Sequence, residues 1–505
     1  TTAAGAGHHP RHRLPHDLGG DTSSFGPLAS TIERADELLD WEVRCHSLFA
    51  ILAIKGCVTT DGLRRSIEAL TPSQYDSWTY YEKWAAGMTT LLLEGGMVTN
   101  RELNEALFGK ELATEMAADD DDDDDSSQTK STPAFDSGDF VRVRSYRQDD
   151  GDGDDRSGLE WRRPHIRVPG YIYGVRGVVE RVCDQHKDPS FLAFGLDAPT
   201  VRLYRVRFRM KDVWPEHHNE DGNNEDDFIE VEVYEPWLEA SAESAGNDFE
   251  SIDGDGAVLF DHSHHGSDCR NEQDSYSSHI LDHHSHHHDH SHHPRPIVEE
   301  RAAKLEDGPR PGKELYSALL KVLLEKDIVS QEEIREMSER LVMAGKTLNG
   351  ASLVARAWND PGFEERLLSD AAAAAAEMGI VTSNPNAPTV LTVVKNTKNV
   401  HNLVVCTLCS CYPSGLLGIA PSWYKSREYR SRAVREPRKV LAEFGTEIDS
   451  CQKIRVHDST ADHRYLVLPT RPEGTEGWTE EQLRPLVTRD CMVGVTLPLG
   501  PQFNQ

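Results

Sequence analysis

The chain switches repeatedly between two hydrophobic periods. Apolar residues recur every three or four positions in TIERADELLDWEVRCHSLFAILAIKG from Thr31 and in YYEKWAAGMTTLLLEGGMV from Tyr80, and Thr99 with Glu102 forms a capping box for the segment that follows. That spacing predicts amphipathic helices. From Gly138 the period drops to two in DFVRVR, IYGVRGVVERV, LYRVRFRM and DFIEVEVYE, with Gly, Pro and acidic turns between them. Short alternating strands of this kind predict a small β-barrel or roll.

The helical period returns in KELYSALLKVLLEKDIV, in REMSERLVMAG behind a capping box of Ser330 and Glu333, and in GASLVARAWNDPGFEERLLSDAAAAAAEMGI. TVLTVVKNT and HNLVVCTL then read as buried strands and KIRVHDST and RYLVLPTRP as later ones, before Thr479 and Gln482 open a final helix. The expected fold is α+β: a helical region over 1–135, a small β-barrel over 136–240, a linker over 241–296, and an α/β layered half over 297–505. Both halves hold a helix, a tight turn and a capped helix, LLLEGGMVTNREL and VLLEKDIVSQEEI. Such hairpins are too common to establish a repeat.

Charge sharpens these boundaries. The 505 residues carry a formal charge of −31, much of it in two stretches. The insertion at 117–133 holds an unbroken Asp run, which repels itself and predicts disorder; it lacks the Gly turn and alternating ligands of a calcium loop. The acidic Gly stretch at 148–156 is similar. The linker ends in HILDHHSHHHDHSHHPRP, where His283, His284, His286, His287, His288, His290, His292 and His293 gather. A flexible connection is the expectation, and capture or delivery of cobalt, nickel, copper or zinc is the alternative that imidazole chemistry leaves open. A strongly negative chain without a basic, aromatic-laced stripe is not a nucleic-acid partner. No run reaches the ~18 apolar residues of a membrane span. Scattered cysteines at 45, 57, 183, 269, 451 and 491, and no charged, apolar leader, predict a reducing, cytoplasmic setting.

The remaining three cysteines lie together in VCTLCSC, at Cys406, Cys409 and Cys411. A structural zinc site would want a second cysteine knuckle, and an iron–sulfur cluster a fourth cysteine. The spacing suits a tight claw, in which the backbone amides of Ser410 and Cys411 approach the same metal as the thiolates.

VCTLCSC followed by YP, then PSWYKSREYRSRAVREPRKVLAEFG, RYLVLPTRPEGTEG and LVTRDCMVGV, resembles the α subunit of nitrile hydratase from about Ala302 onward. The first half resembles the β subunit, through HDLGG at 16–20, DWEVR at 40–44, SWTYYEKW at 77–84, GDFVRV at 138–143, HIRVPGY at 165–171 and RFRMKDVW at 207–214. The chain thus looks like a β-then-α fusion joined by the histidine-rich linker.

The resemblance implies a site. Cys406, Cys409 and Cys411 with the amides of Ser410 and Cys411 would hold one low-spin trivalent metal with an open sixth position. Cys409 would be oxidised to sulfinic and Cys411 to sulfenic acid. Arg44 and Arg167 would hold the oxidised sulfurs, Tyr80 and Tyr81 would line the pocket, and Trp423 and Tyr424 would be core. Thr407 points to non-corrin Co(III), one per chain, rather than Fe(III). Two departures from the family pattern are Ser414, where many relatives carry an aromatic residue, and Tyr173, where an arginine is frequent. The implied reaction is hydration of a small nitrile to its amide, in a chain that admits homo-oligomers and a cobalt activator protein. Thiocyanate hydrolysis, or metal storage by the histidine tract, are the other functions consistent with these features.

Overall fold

The computed structural model describes residues 15–28, 38–108, 134–144, 167–194, 196, 198–215, 227–241, 311–382, 389–460 and 462–504. The acidic stretches expected at 117–133 and 148–156 and the histidine tract at 283–293 lie outside these residues.

In the first half helices form at Asp40–Ile54, Tyr80–Glu94 and Asn100–Phe108, where the period predicts them, and also at Thr60–Glu68 and Pro72–Ser77, where no helix was expected. The capping box at Thr99 is present, with the Glu102 side chain accepting from the Thr99 amide at 2.8 Å. In the second half Pro311–Glu325 is followed by Gln331–Thr347, whose Ser330 and Glu333 cap each other reciprocally. The long helical stretch after 349 is broken into Asn349–Asn359, Pro361–Ser369 and Ala371–Glu377. Asp360 and Asp370 do the breaking, each accepting a backbone N–H three residues on.

Nine strands are described: β1 Phe140–Val143, β2 Arg176–Lys187, β3 Thr200–Arg209, β4 Phe228–Tyr234, β5 Leu238–Ala240, β6 Val390–Lys395, β7 Val400–Val405, β8 Lys453–Asp458 and β9 His463–Leu468. The expected barrel over 136–240 is not closed among them. Instead β1 to β5 pair antiparallel within a seven-stranded sheet of order β5-β1-β2-β3-β4-β8-β7, and β6 pairs with β9 apart from it. The reason is the edge of β4. It pairs in parallel with β8 of the second half, Ile229 opposite Val456, so the first half's sheet is extended across the two halves rather than curled back on itself.

The alternation in β3 and β4 also has an unexpected meaning. Arg205 and Arg207 lie opposite Glu232 and Glu230 and bond to them at 2.9 and 2.8 Å. This charged face is buried, with Arg205 over the ring of Tyr465 from β9. Cross-strand ion pairs, not solvent, satisfy the polar positions.

Both large apolar cores draw on both halves. One packs Met88 and Leu92 with Leu319 and Leu323; the other joins Val206 and Phe208 to Leu403 and Val456. The described residues of both halves accordingly form one compact unit. Among the described residues no helix is long and apolar enough to cross a membrane. Among the described residues Cys45, Cys57, Cys183, Cys406, Cys409, Cys411 and Cys491 carry free thiols, whereas Cys451 is disulfide-bonded, against the expectation of a reducing setting.

Candidate metal centre

The cysteine loop begins where β7 ends. Cys406 is fully buried, and the loop behind it is held from several sides. Asp458, the last residue of β8, accepts from the Thr407 amide at 2.9 Å and from the Thr407 hydroxyl at 2.6 Å, and also from the Tyr171 hydroxyl at 2.8 Å. Burial raises the Asp458 carboxyl to about 6 against these hydrogen bonds. Arg430 donates to the carbonyls of Thr407 at 2.9 Å and Cys406 at 3.3 Å. The HDLGG segment closes the other side, with Leu18 N–H on the Thr407 carbonyl at 3.3 Å. A Cβ on Gly19 would stand 2.4 Å from the Tyr171 ring and 3.3 Å from Thr407, so only glycine lets this segment approach so closely.

Ser410 takes a left-handed φ of 64°, rare for a residue with a side chain. That bend brings the sulfurs together. Cys409 Sγ lies 3.5 Å from Cys406 Sγ and 3.0 Å from Cys411 Sγ, and all three fall within 4.8 Å of one another. Sulfurs bound at about 2.3 Å to one metal at right angles would be about 3.2 Å apart, so the spacing fits a common ion. Among the described residues neither the Ser410 nor the Cys411 amide is committed to a hydrogen bond, which leaves both for the same ion.

Two guanidinium groups meet these sulfurs. Arg167, 1% exposed and itself at a φ of 57°, donates from Nη2 to Cys409 Sγ at 3.0 Å, from Nε to the Thr460 carbonyl at 2.6 Å and from Nη1 to Glu68 at 3.2 Å. Arg64 donates from Nη2 to Cys411 Sγ at 3.0 Å and from Nη1 to Asp61 at 2.8 Å. The thiols of Cys406 and Cys411 and then the two guanidinium groups hold the Cys409 thiol well below the ordinary cysteine range. Burial holds Cys406 well above it.

Arg44 does not join this group. It sits on the Asp40–Ile54 helix with Nη2 3.1 Å from Gln331 and Nη1 3.9 Å from Asp40, its side chain about one-third exposed. The second sulfur contact, expected from Arg44, is made by Arg64. Arg64 lies on the Thr60–Glu68 helix, where Asp61, Arg64 and Glu68 share a buried side, and no local feature of the sequence singled it out.

Tyr80 and Tyr81 open the Tyr80–Glu94 helix. The Tyr81 hydroxyl lies 3.2 Å from His46 Nδ1, and Tyr80 stands edge-on to Tyr81 at 5.2 Å. Burial, then the charges of Cys409 and Cys411, push the Tyr80 hydroxyl up. Trp423 and Tyr424 are core, as expected, yet Tyr424 also donates to the Cys411 carbonyl at 2.8 Å. Tyr173 bonds the Val168 carbonyl at 3.2 Å, and Ser414 begins the short Ser414–Leu417 helix.

Family models place this geometry. Residues 13–128 match the N-terminal and 124–240 the C-terminal part of the nitrile hydratase beta subunit, and residues 312–496 match the nitrile hydratase alpha chain. The chain belongs to the nitrile hydratase family. It carries the β-type segments ahead of the α-type segment in one polypeptide. The α-type part is 48% identical over 196 residues to the low-molecular weight cobalt-containing nitrile hydratase subunit alpha of Rhodococcus rhodochrous, covering 38% of this chain and 93% of that one. The β-type part is 31% identical over 232 residues to the nitrile hydratase subunit beta of Pseudomonas chlororaphis, covering 44% and 94%. The thiocyanate hydrolase subunit gamma of Thiobacillus thioparus is 44% identical over 192 residues, covering 36% and 79%.

Proposed function

We propose that this chain hydrates a small nitrile to its amide at a non-corrin Co(III) centre, one per chain, held by the sulfurs of Cys406, Cys409 and Cys411 and the amides of Ser410 and Cys411. The observation that carries this is the convergence of three sulfurs within 4.8 Å and two guanidinium groups, each 3.0 Å from one of them. Trivalent cobalt bound there would supply Lewis acidity toward a nitrile or a water. Cobalt-containing relatives support this metal over iron.

The chain's own residues do the rest. Cys409 as sulfinate and Cys411 as sulfenate occupy known rungs of thiol oxidation. Arg167 and Arg64 hold them by charge-assisted hydrogen bonds, stronger for being buried. The Cys411 sulfenate oxygen acts either as base toward a water that attacks the nitrile carbon, or as nucleophile on that carbon, in which case a water then attacks the same carbon and breaks its bond to the sulfenate oxygen, releasing the sulfenate; the net addition is one water, its oxygen to carbon and its two protons to nitrogen. Tyr80 and Tyr81 form the aromatic wall. Arg44 stands outside this machinery.

The family matches end at 240 and resume at 312, which supports residues 241–296 as a linker between a β-type half and an α-type half. Homo-oligomers, a cobalt activator protein and a cytoplasmic setting complete the reading. The thiocyanate hydrolase relative makes one test decisive. Cobalt-loaded protein is given an aliphatic nitrile and thiocyanate side by side. Amide from the nitrile is the expected result; consumption of thiocyanate with no amide formed overturns it.

A further inference from the structure

Several buried arginines of this protein are matched by acceptors, Arg430 among them by the Thr407 and Cys406 carbonyls. Arg205, Arg207, Arg432 and Arg438 pair with carboxylates, and Arg64 and Arg167 pair with both carboxylates and sulfurs. Lys425 does not. Among the described residues its ammonium has neither a carboxylate in ion-pair range nor a hydrogen-bond acceptor. It lies instead over two rings, 5.0 Å from the centre of Tyr81 and 5.3 Å from that of Tyr80. Aromatic faces attract a cation but leave its three N–H donors unused.

Its position is tied to the metal loop. Lys425 ends the Ser422–Lys425 helix, and its neighbour Tyr424 bonds the Cys411 carbonyl at 2.8 Å. The rings beneath it belong to Tyr80 and Tyr81, the proposed aromatic wall of the site. Burial lowers the ammonium to about 8; Glu42 opposes that and Arg489 adds to it.

We propose that Lys425 makes this site selective for nitriles that carry a carboxylate remote from the C≡N group, its ammonium pairing with that carboxylate while the nitrile carbon faces Cys411. The proposal rests on the hydration reading and names its substrate class. A carboxylate provides the charged acceptors that the tyrosine rings do not. The groups facing Lys425 are Glu42 and His46 of the Asp40–Ile54 helix, Tyr80 and Tyr81, and Arg489 of the Arg489–Val493 helix.

The test uses the full cobalt-loaded chain and the ratio of kcat/KM for 3-cyanopropanoate to that for neutral 3-cyanopropanamide. The ratio is expected to favour the acid, to fall about 10- to 100-fold in Lys425→Met, as loss of one hydrogen bond to a charged group predicts, and to be largely kept in Lys425→Arg. In the wild type it should decline as pH rises through about 8, and the Lys425→Arg protein should lack that decline. An unchanged ratio in Lys425→Met overturns the proposal, as does an equal loss on both substrates, which would mark Lys425 as wall packing alone. A wild-type chain that hydrates neither compound removes the hydration reading, and this proposal with it.

Discussion

The two halves of the chain reach the metal centre in opposite ways. The α-type half supplies every proposed metal-binding atom from six consecutive residues, 406–411, bent by one left-handed serine and anchored to the ends of β7 and β8. The β-type half supplies single groups from places far apart in sequence: Gly19 pressed on Thr407, Arg64 from a helix, Arg167 from a turn ahead of β2. Ligands that share a peptide need only local geometry. The charges that balance them need the whole fold, because a buried sulfur anion is tolerated only where donors are brought to it.

The contrast is broken most severely from the local side. Cys409→Ala removes a ligand, both close sulfur contacts and the partner of Arg167, and is expected to abolish cobalt retention at the loop as well as turnover; a metal assay on a chain lacking the histidine tract reads this out. From the distributed side, Arg64→Lys and Arg167→Lys lose the planar fork and should lower kcat by about 10- to 100-fold, the usual scale for groups that orient metal ligands. Arg44→Lys should change kcat less than about twofold, as for a residue outside the reacting groups. Equal losses at Arg44 and Arg64 would contradict the assignment.

The seam gives a smaller effect that spares the loop. Asp227 is fully buried, accepts from Arg438 at 3.1 Å through both oxygens and from the Ile454 amide at 2.7 Å. Asp227→Ala removes the carboxylate partner of Arg438, leaving it only backbone carbonyls, and should cost about 3 kcal/mol in urea unfolding, as for a broken buried pair. Smallest is a pH effect. Burial holds the His463 imidazole at about 4, while in the unfolded chain it titrates near 6.5. The unfolded state then binds more protons between those values, so stability falls as pH drops from about 6.5 to 4, by about 3 kcal/mol at most. His463→Gln should flatten that part of the stability–pH curve.

How far these features could be read from sequence follows the same division. Helices with reciprocal caps at Thr99 and Ser330, and strands β7 to β9, were legible because period and capping are local. The cysteine loop was legible because its atoms are contiguous. The barrel was not, because nothing in DFIEVEVYE says that β4 will pair with a strand more than two hundred residues later. The burial of the Arg205–Glu232 pair was not legible either, because nothing local says that Tyr465 of β9 will lie against it. Arg44 was named from the family resemblance of DWEVR and Arg64 was missed, because only the fold shows which helix faces Cys411.

The most direct test of the centre is the intact mass of the peptide 399–425, which trypsin releases after Lys398 and Lys425, taken from cobalt-loaded protein without reduction. One sulfinic and one sulfenic oxidation predict a gain of about 48 Da. Three unmodified, alkylatable thiols in protein that holds cobalt at the loop and hydrates nitriles would contradict the account.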